Sequence, residues 1–471
     1  MRQPEPWPTL QHFFRLLCST GTDAGLRAYV AIHKVTPPGQ WSDCPMSRRL
    51  VLLFLITCVK AHGQPPSPEA ALTLDACIRK ALAVPSALSV ARLDRSIADR
   101  DHSIARAGLL PQAAATVAGI YTSPSQVTPD AFAFVAANAV RQYTGVGRIF
   151  LELDTSGRVR AEIARARAGQ QAAQASSGIA ERDLKRAVAQ AYYRLLLARR
   201  LVEAINSSLV ESQTFAQRVR LLAEGGEASR ADVVKAATQV AILRQTLSSA
   251  ELAATLANQD LAAWWTPDVD TLLRLEDVFD APLSEPPPPA SPPGQFMRRL
   301  EFSLLDAQKT TFQADARRTK ALLRPQLALN FDYGLDSYRV NWQNRGYSAM
   351  ASVNFPLFDW FRTANAARQF TLKADQITAT RSIAERRYSQ EYSAALARTT
   401  SLREQILQAK EQVTLAEEDY KLSRIRYEGG EGPAVDVVVA QTQLVQGRSS
   451  YYVSISNYLS AKLDLEVAAG K

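Results

Sequence analysis

The residues equipped for covalent chemistry are few and poorly placed for it. Histidines stand at His12, His33, His62 and His102, and cysteines at Cys18, Cys44, Cys58 and Cys77. Neither set has the spacing of a zinc site or a disulfide framework. GxSxG, P-loop and HExxH signatures are absent, so a hydrolase or transferase finds no nucleophile and base here. His102 reads as a solvated helix residue. What recurs instead is a glycine pair flanked by carboxylates. Glu224-Gly225-Gly226-Glu227 is followed by Asp232, and Glu428-Gly429-Gly430-Glu431 by Asp436. Glycine permits φ > 0 and lets a partner backbone come close. The chemistry on offer is docking and charge, not bond-making.

These groups sit in a tandem repeat. Leu222–Gln239 (LAEGGEASRADVVKAATQ) matches Arg426–Gln443 (RYEGGEGPAVDVVVAQTQ) at a constant offset of 204. The helical pattern continues beyond it, with Val240, Leu247, Ala254 and Leu261 opposite Leu444, Tyr451, Tyr458 and Leu465. The chain is a duplicated hairpin of long helices. Four parts follow: an upstream extension and signal peptide (1–61), a first repeat (62–265), a proline-rich linker (266–296) and a second repeat (297–471). Net charge is +9. Seven basic and three acidic residues precede Gln64, leaving 48 basic against 43 acidic. That mixed surface argues against nucleic acid.

Near the N-terminus, Arg48-Arg49 precedes about eight apolar residues and then Val59-Lys60-Ala61, the layout of a secretory signal with Met46 as its start. Two endings fit: cleavage after Ala61, or lipidation of Cys58 after Leu-Ile-Thr. The apolar run is shorter than the ~20 residues a spanning helix needs, and no other stretch is longer. Entry into a membrane must therefore be as strands.

Leu72–Ala107 reads as helix interrupted near Pro85 and ended by Pro111. Strands are expected at Ala113–Tyr121 and Tyr143–Asp154, then a helix from Gly157 to Ala223, a turn capped by Ser229, and a return helix to Trp265. After the linker (Pro286–Pro289, Pro292-Pro293) the order repeats. Helix is expected over Met297–Leu323, strands over Gln326–Ser337 and Tyr347–Leu357, helix over Arg362–Tyr427 and a return over Val435–Leu465. Each strand alternates an aromatic or aliphatic face with a small or polar one. Leu402, Ile406, Ala409, Val413, Ala416, Tyr420 and Tyr427 fall on a 3.5-residue period, the mark of supercoiling helices. Such a helix spans roughly 100 Å at ~1.5 Å per residue.

Heptads alone suit a cytoplasmic coiled coil, and four strands alone suit a soluble sheet over a core. Four strands cannot close a barrel, for which roughly eight are the minimum. A water-filled barrel with an apolar exterior would need several protomers.

The residues carry a resemblance to a known family. Leu72-Thr-Leu-Asp75, Ala81-Leu-Ala-Val-Pro85 and Leu109-Leu-Pro-Gln112 resemble the opening of the outer-membrane efflux protein (TolC) family. Arg324-Pro-Gln326 resembles its strand entry in the second half and Pro356-Leu-Phe-Asp359 the exit. Tyr427-Glu-Gly-Gly430 with Asp436-Val-Val-Val-Ala-Gln441 resembles its helix-turn tip. The sequence departs from the family in having Val84 where asparagine is usual and no Gly-Gly after Asp359.

The resemblance implies a mainly α fold with membrane β: duplicated helical hairpins forming a trimeric α-barrel continuous with a 12-stranded outer-membrane β-barrel. It implies an exit duct of a tripartite efflux or type I secretion system, reaching far into the periplasm, with no catalysis, cofactor or metal. Its partners would be two further copies, a periplasmic adaptor, an inner-membrane pump and outer-membrane lipid. The tips at Gly225, Gly226, Gly429 and Gly430 would dock the adaptor. Asp436 would form a constriction ring at the channel entrance, with Tyr427 and Asp232 in the network holding it shut. The arginine expected there falls at Gly432, and a second acidic position at Val439, so one ring of three carboxylates replaces two. A different class of function is a lipid-anchored periplasmic or surface coiled coil without a pore. Cargo is not readable.

Overall fold

A computed structural model describes residues 71–122, 141–279 and 294–470. The signal segment with Cys58, the 123–140 loop and the proline-rich part of the linker lie outside the described residues. Eleven regular elements are used below. They are α1 (Leu74–Ala83), α2 (Ala87–Ala107), β1 (Gln112–Tyr121), β2 (Arg141–Leu153), α3 (Arg158–Glu224) and α4 (Arg230–Ala262), then α5 (Leu300–Ala321), β3 (Gln326–Ser337), β4 (Arg345–Asn354), α6 (Arg362–Glu428) and α7 (Ala434–Ala468). No helix among the described residues is long and apolar enough to cross a membrane.

Helices α3 and α6 are each 67 residues long. Each is flanked by a different partner in its two halves. Near the sheet, α2 lies against α3, α3 against α5, and α5 against α6; beyond them α4 packs on α3, and α7 on both α3 and α6. The order across the protomer is therefore α2–α3–α5–α6 at one level and α4–α3–α7–α6 at the next. The heptad line on α6 is the packed one: Ile406, Ala409, Ala416, Tyr420 and Tyr427 are buried. Small residues dominate its upper half as well, with Ala367 and Ala374 buried, which lets helix axes approach closely.

The sheet is antiparallel in the order β1-β2-β3-β4. Its register pairs Ile149 with Phe331 and Leu151 with Leu329, then Leu329 with Ala351 and Tyr333 with Tyr347. Residues directly opposite share a face, so one face is apolar from Leu153 and Leu327 up to Tyr143 and Tyr333, with Arg141, Ser337 and Arg345 only at its far rim. The other carries an ion pair between Arg148 and Asp332 at 2.7 Å, and Asp336 accepting from Gln142 and Thr144. Ile149, Leu329, Phe331 and Tyr333 remain exposed. Among the described residues the sheet covers no core, which speaks against the soluble-sheet reading.

Most boundaries shift by three residues or fewer from expectation, and two of the differences have a clear physical cause. Strand β4 stops at Asn354 rather than Leu357, because Pro356 has no N–H to continue a ladder. The expected helix over Met297–Leu323 is broken at Arg299, which is extended (ψ 135°) between a short 3-10 turn and α5.

That break is held by charge. Arg299 is 8% exposed. It donates to Glu301 at 2.9 Å and to Glu391 at 2.8 Å, and its guanidinium lies 3.9 Å from the centre of the Tyr388 ring. Glu301 also accepts a forked pair from Arg182, at 2.9 and 3.1 Å. One cluster thus joins α3, α5 and α6. Burial pushes the Glu301 carboxyl up, but hydrogen bonds from Arg299 and Arg182 outweigh it and bring it down to about 2.

The first linker residues are ordered against the N-terminal lead. Leu72 bridges Leu275, and the Tyr192 hydroxyl donates to the carbonyls of Glu276 (2.6 Å) and Leu72 (3.2 Å). Cys77 is buried beside them, its thiol raised to about 11 chiefly by burial, which makes it an inert packing group.

Replacing Glu301 leaves Arg299 and Arg182 without their shared carboxylate. Glu301→Gln should lower unfolding stability by about 2 kcal/mol, below the ~3–5 of a fully buried pair because Glu301 keeps some exposure. A depressed carboxyl contributes stability above its ordinary value of 4.5 that is lost as pH falls towards about 2. Urea titrations should therefore show the wild-type advantage undiminished down to about pH 4.5 and fading below. An advantage constant down to pH 2 would contradict the ionic account.

Candidate functional site: the paired helical tips

Both hairpins end in the same hydrogen-bonded turn. At the first, Gly226 N–H donates to Ala223 O and Glu227 N–H to Leu222 O, with Gly226 at φ +84°. At the second, Gly430 N–H donates to Tyr427 O and Glu431 N–H to Arg426 O, with Gly430 at φ +74°. This 6→1 and 5→2 pattern ends a helix through a left-handed residue. Gly226 and Gly430 are thus required by the turn itself. Gly225 and Gly429 are right-handed helix caps (φ −77° and −82°). A Cβ added there would meet its nearest carbonyl oxygen at 3.6 and 3.4 Å, an ordinary contact. All four glycines are exposed, as are Glu224, Glu227, Glu428 and Glu431.

After each turn the two copies diverge. Ser229 caps α4 by accepting from Asp232 N–H at 3.1 Å, and its hydroxyl donates to the Asp232 carboxylate at 2.7 Å. The serine's counterpart before α7 is Pro433, which offers no side-chain cap. Asp436 is exposed in the first turn of α7, with no hydroxyl to hold it.

Tyr427 comes from the last turn of α6 and is buried against Phe215, with ring centres 5.3 Å apart. Its hydroxyl has no hydrogen-bond partner. Burial raises it, and the Asp232 carboxylate raises it further. Asp232 thus acts on the Tyr427 hydroxyl through its charge and not through a hydrogen bond, and Asp436 is exposed on its own helix. Gly432 lies over the Arg426 backbone and supplies no cation to this group. Tyr427, Phe215, Val437 and Leu444 share the core that fixes the tip.

Sequence reasoning missed a polar seam above the tip. Gln441, buried, donates to Ser208 O at 3.0 Å; Arg448 reaches Glu417 at 3.0 Å and Glu211 at 3.6 Å. It joins the two hairpins. The repeated glutamines Gln239 and Gln443 were the nearest available signal, and Gln239 does reach Thr442, at 3.3 Å. Among the described residues no group of three or more His, Cys, Asp or Glu is arranged to hold a metal ion.

Comparison with known proteins places this geometry. The family described as outer membrane efflux protein matches residues 77–266 and 298–471. The cobalt-zinc-cadmium resistance protein CzcC of Cupriavidus metallidurans is 23% identical over 340 residues, 70% of this chain and 77% of that protein. The outer membrane protein VceC of Vibrio cholerae has a similar fold, with TM-score 0.74 and 18% identity over 84% of this chain and 96% of that one. The open-state MtrE outer membrane channel of Neisseria gonorrhoeae gives 0.73 and 20%, over 84% and 88%. The family match spans both helical hairpins and all four strands, and on it the chain belongs to the outer membrane efflux protein family.

Proposed function

We propose that this protein is the outer-membrane exit duct of an efflux machine, a passive conduit built from three copies. The observation that carries the reading is the repeated open edge. At each level the protomer is four elements wide: β1–β4, then α2–α3–α5–α6, then α4–α3–α7–α6. One flank always ends in β1, α2 or α4, the other in β4 or α6. Both flanks expose apolar side chains at each level: Val90, Leu93 and Ile97 on α2 against Leu372 and Ile383 on α6 near the sheet, and Val234 and Ile242 on α4 against Leu415, Leu422 and Ile425 on α6 near the tip. Unlike flanks of one chain meet head to tail, and a closed ring is the soluble outcome.

Three copies supply twelve strands, enough for a lumen. The apolar sheet face then meets lipid and the Arg148–Asp332 face meets water. A lipid-anchored coiled coil without a pore gives that polar face no purpose. Cargo choice rests with the pump. The name of the relative CzcC makes divalent metal ions the first class to assay.

At the far end, the tips dock the adaptor, and Asp436 contributes a carboxylate per copy to the closed entrance. Like charges held close disfavour joint ionisation, and a cation relieves them. Tyr427 and Asp232 hold the adjoining helix end.

Two measurements test these assignments. In planar bilayers the purified protein should conduct, and Asp436→Ala should reduce cation preference and block by multivalent cations. Unchanged selectivity would leave Asp436 only a helix-end role worth about 0.3–1 kcal/mol. Docking is best probed at Gly225 and Gly429, since substitution at Gly226 or Gly430 adds left-handed strain of about 1–2 kcal/mol. Gly225→Leu with Gly429→Leu should assemble normally and lose export in cells. Full export would contradict docking at the tips.

A further inference from the structure

Trp360 and Phe361 hold φ of +54° and +59°, the only non-glycine residues among those described with positive φ. Left-handed backbone is uncommon for bulky side chains. The matching strand-to-helix junction of the first repeat, Asp154-Thr155-Ser156-Gly157, avoids the strain by placing Gly157 at φ +82°. The second repeat accepts it and displays two large rings, 83% and 67% exposed. The turn is nonetheless built. Phe358 meets Trp360 and Phe361 edge to face at 4.9 and 6.1 Å. Asp359 accepts from Thr363 N–H at 2.8 Å and from Arg362 N–H at 3.1 Å.

The place of this turn along the sheet indicates what covers it. On the apolar face, β4 runs from Tyr347, paired with Tyr333, through Ala349, Ala351 and Val353. Phe355 lies eight residues beyond Tyr347, roughly 26 Å at ~3.3 Å per residue. A barrel's strand tilt shortens that to roughly 20 Å, and the 355–361 turn extends the line. The total matches the ~25 Å apolar band that aromatic girdles flank on outer-membrane barrels. Tyrosines mark one rim, and the Trp360 cluster stands at the other. Indole and phenyl rings with a polar flank favour the headgroup level of a bilayer.

We propose that the strained Trp360–Phe361 turn is a lipid-interface anchor, seating its rings among the phospholipid headgroups on the helical side of the membrane and fixing the height of each protomer. The proposal rests on the reading that the sheet lies in the membrane.

Brominated phospholipid vesicles test it on the full chain. One protein keeps Trp360 alone, the other five tryptophans being replaced by phenylalanine. A sister protein carries Ala351→Trp as its single tryptophan, at mid-band. Trp360 should lose most of its emission to bromines near the headgroup and less to bromines near the chain ends; Ala351→Trp should show the reverse. An unquenched Trp360 beside a quenched Ala351→Trp would overturn the anchor, placing the ring against a neighbouring copy or in water, and would leave the sheet in the membrane. Preferential quenching of Trp360 by chain-end bromines would also overturn it. If neither is quenched, the membrane reading itself fails. Should the multiply substituted proteins not fold, the parent is compared with Trp360→Phe. Loss of a component quenched near the headgroup is expected, and identical quenching in the two would overturn the anchor.

Discussion

Strands β1 and β4 each present a row of backbone amides and carbonyls with no strand beside them among the described residues. Each such group costs several kcal/mol if it is left unpaired in hydrocarbon, and in water a long bare edge invites aggregation. The neighbouring helices share this incompleteness, because their apolar residues outnumber the faces that can bury them. On the proposed reading, a single chain holds the local parts of a structure whose closure lies between chains. The two edges are unlike, one belonging to β1 and the other to β4, so on that reading a copy joins a copy in the same sense each time.

Within the chain, the long helices solve a different problem. A 67-residue helix has no globular core to rest on along its length, so its packing is distributed. Alanines at Ala161, Ala168 and Ala175 keep one seam narrow at seven-residue steps, and larger groups such as Tyr192 and Tyr458 fill the level where the linker crosses. Charge then sets register. The Arg182–Glu301–Arg299–Glu391 cluster pins the re-entry of the second repeat, and Arg186 with Asp464, at 2.6 Å, ties α3 to α7. Geometric demand of this kind favours arginine, whose fork can satisfy two carboxylates at once.

Much of this was legible in the sequence because it is periodic. Alternation placed β3 at Gln326–Ser337 to the residue, and of the seven positions on the 3.5-residue line of α6 five are buried, Leu402 and Val413 being half-buried. Ser229 was readable as a cap from its spacing to Asp232. What stayed hidden depends on residues far apart in the chain or on backbone geometry. Arg182 and Glu301 are separated by 119 positions, and neither lies in a motif. The break at Arg299 follows from that contact rather than from any proline or glycine. Of the candidate site, the turns were legible and the divergence between Asp232 and Asp436 was not, although Ser229 against Pro433 contained it. The missing Gly-Gly after Asp359 was visible as a departure, but only φ at Trp360 and Phe361 shows that these residues adopt the glycine conformation anyway.

The central claim is that three copies close head to tail through unlike flanks. Single-particle imaging of the full chain extracted in detergent tests it most directly. The account predicts three-fold particles in which a tube roughly 100 Å long, the span of a 67-residue helix, continues into a shorter barrel. Monomeric rods, or particles related by a two-fold axis, would contradict it.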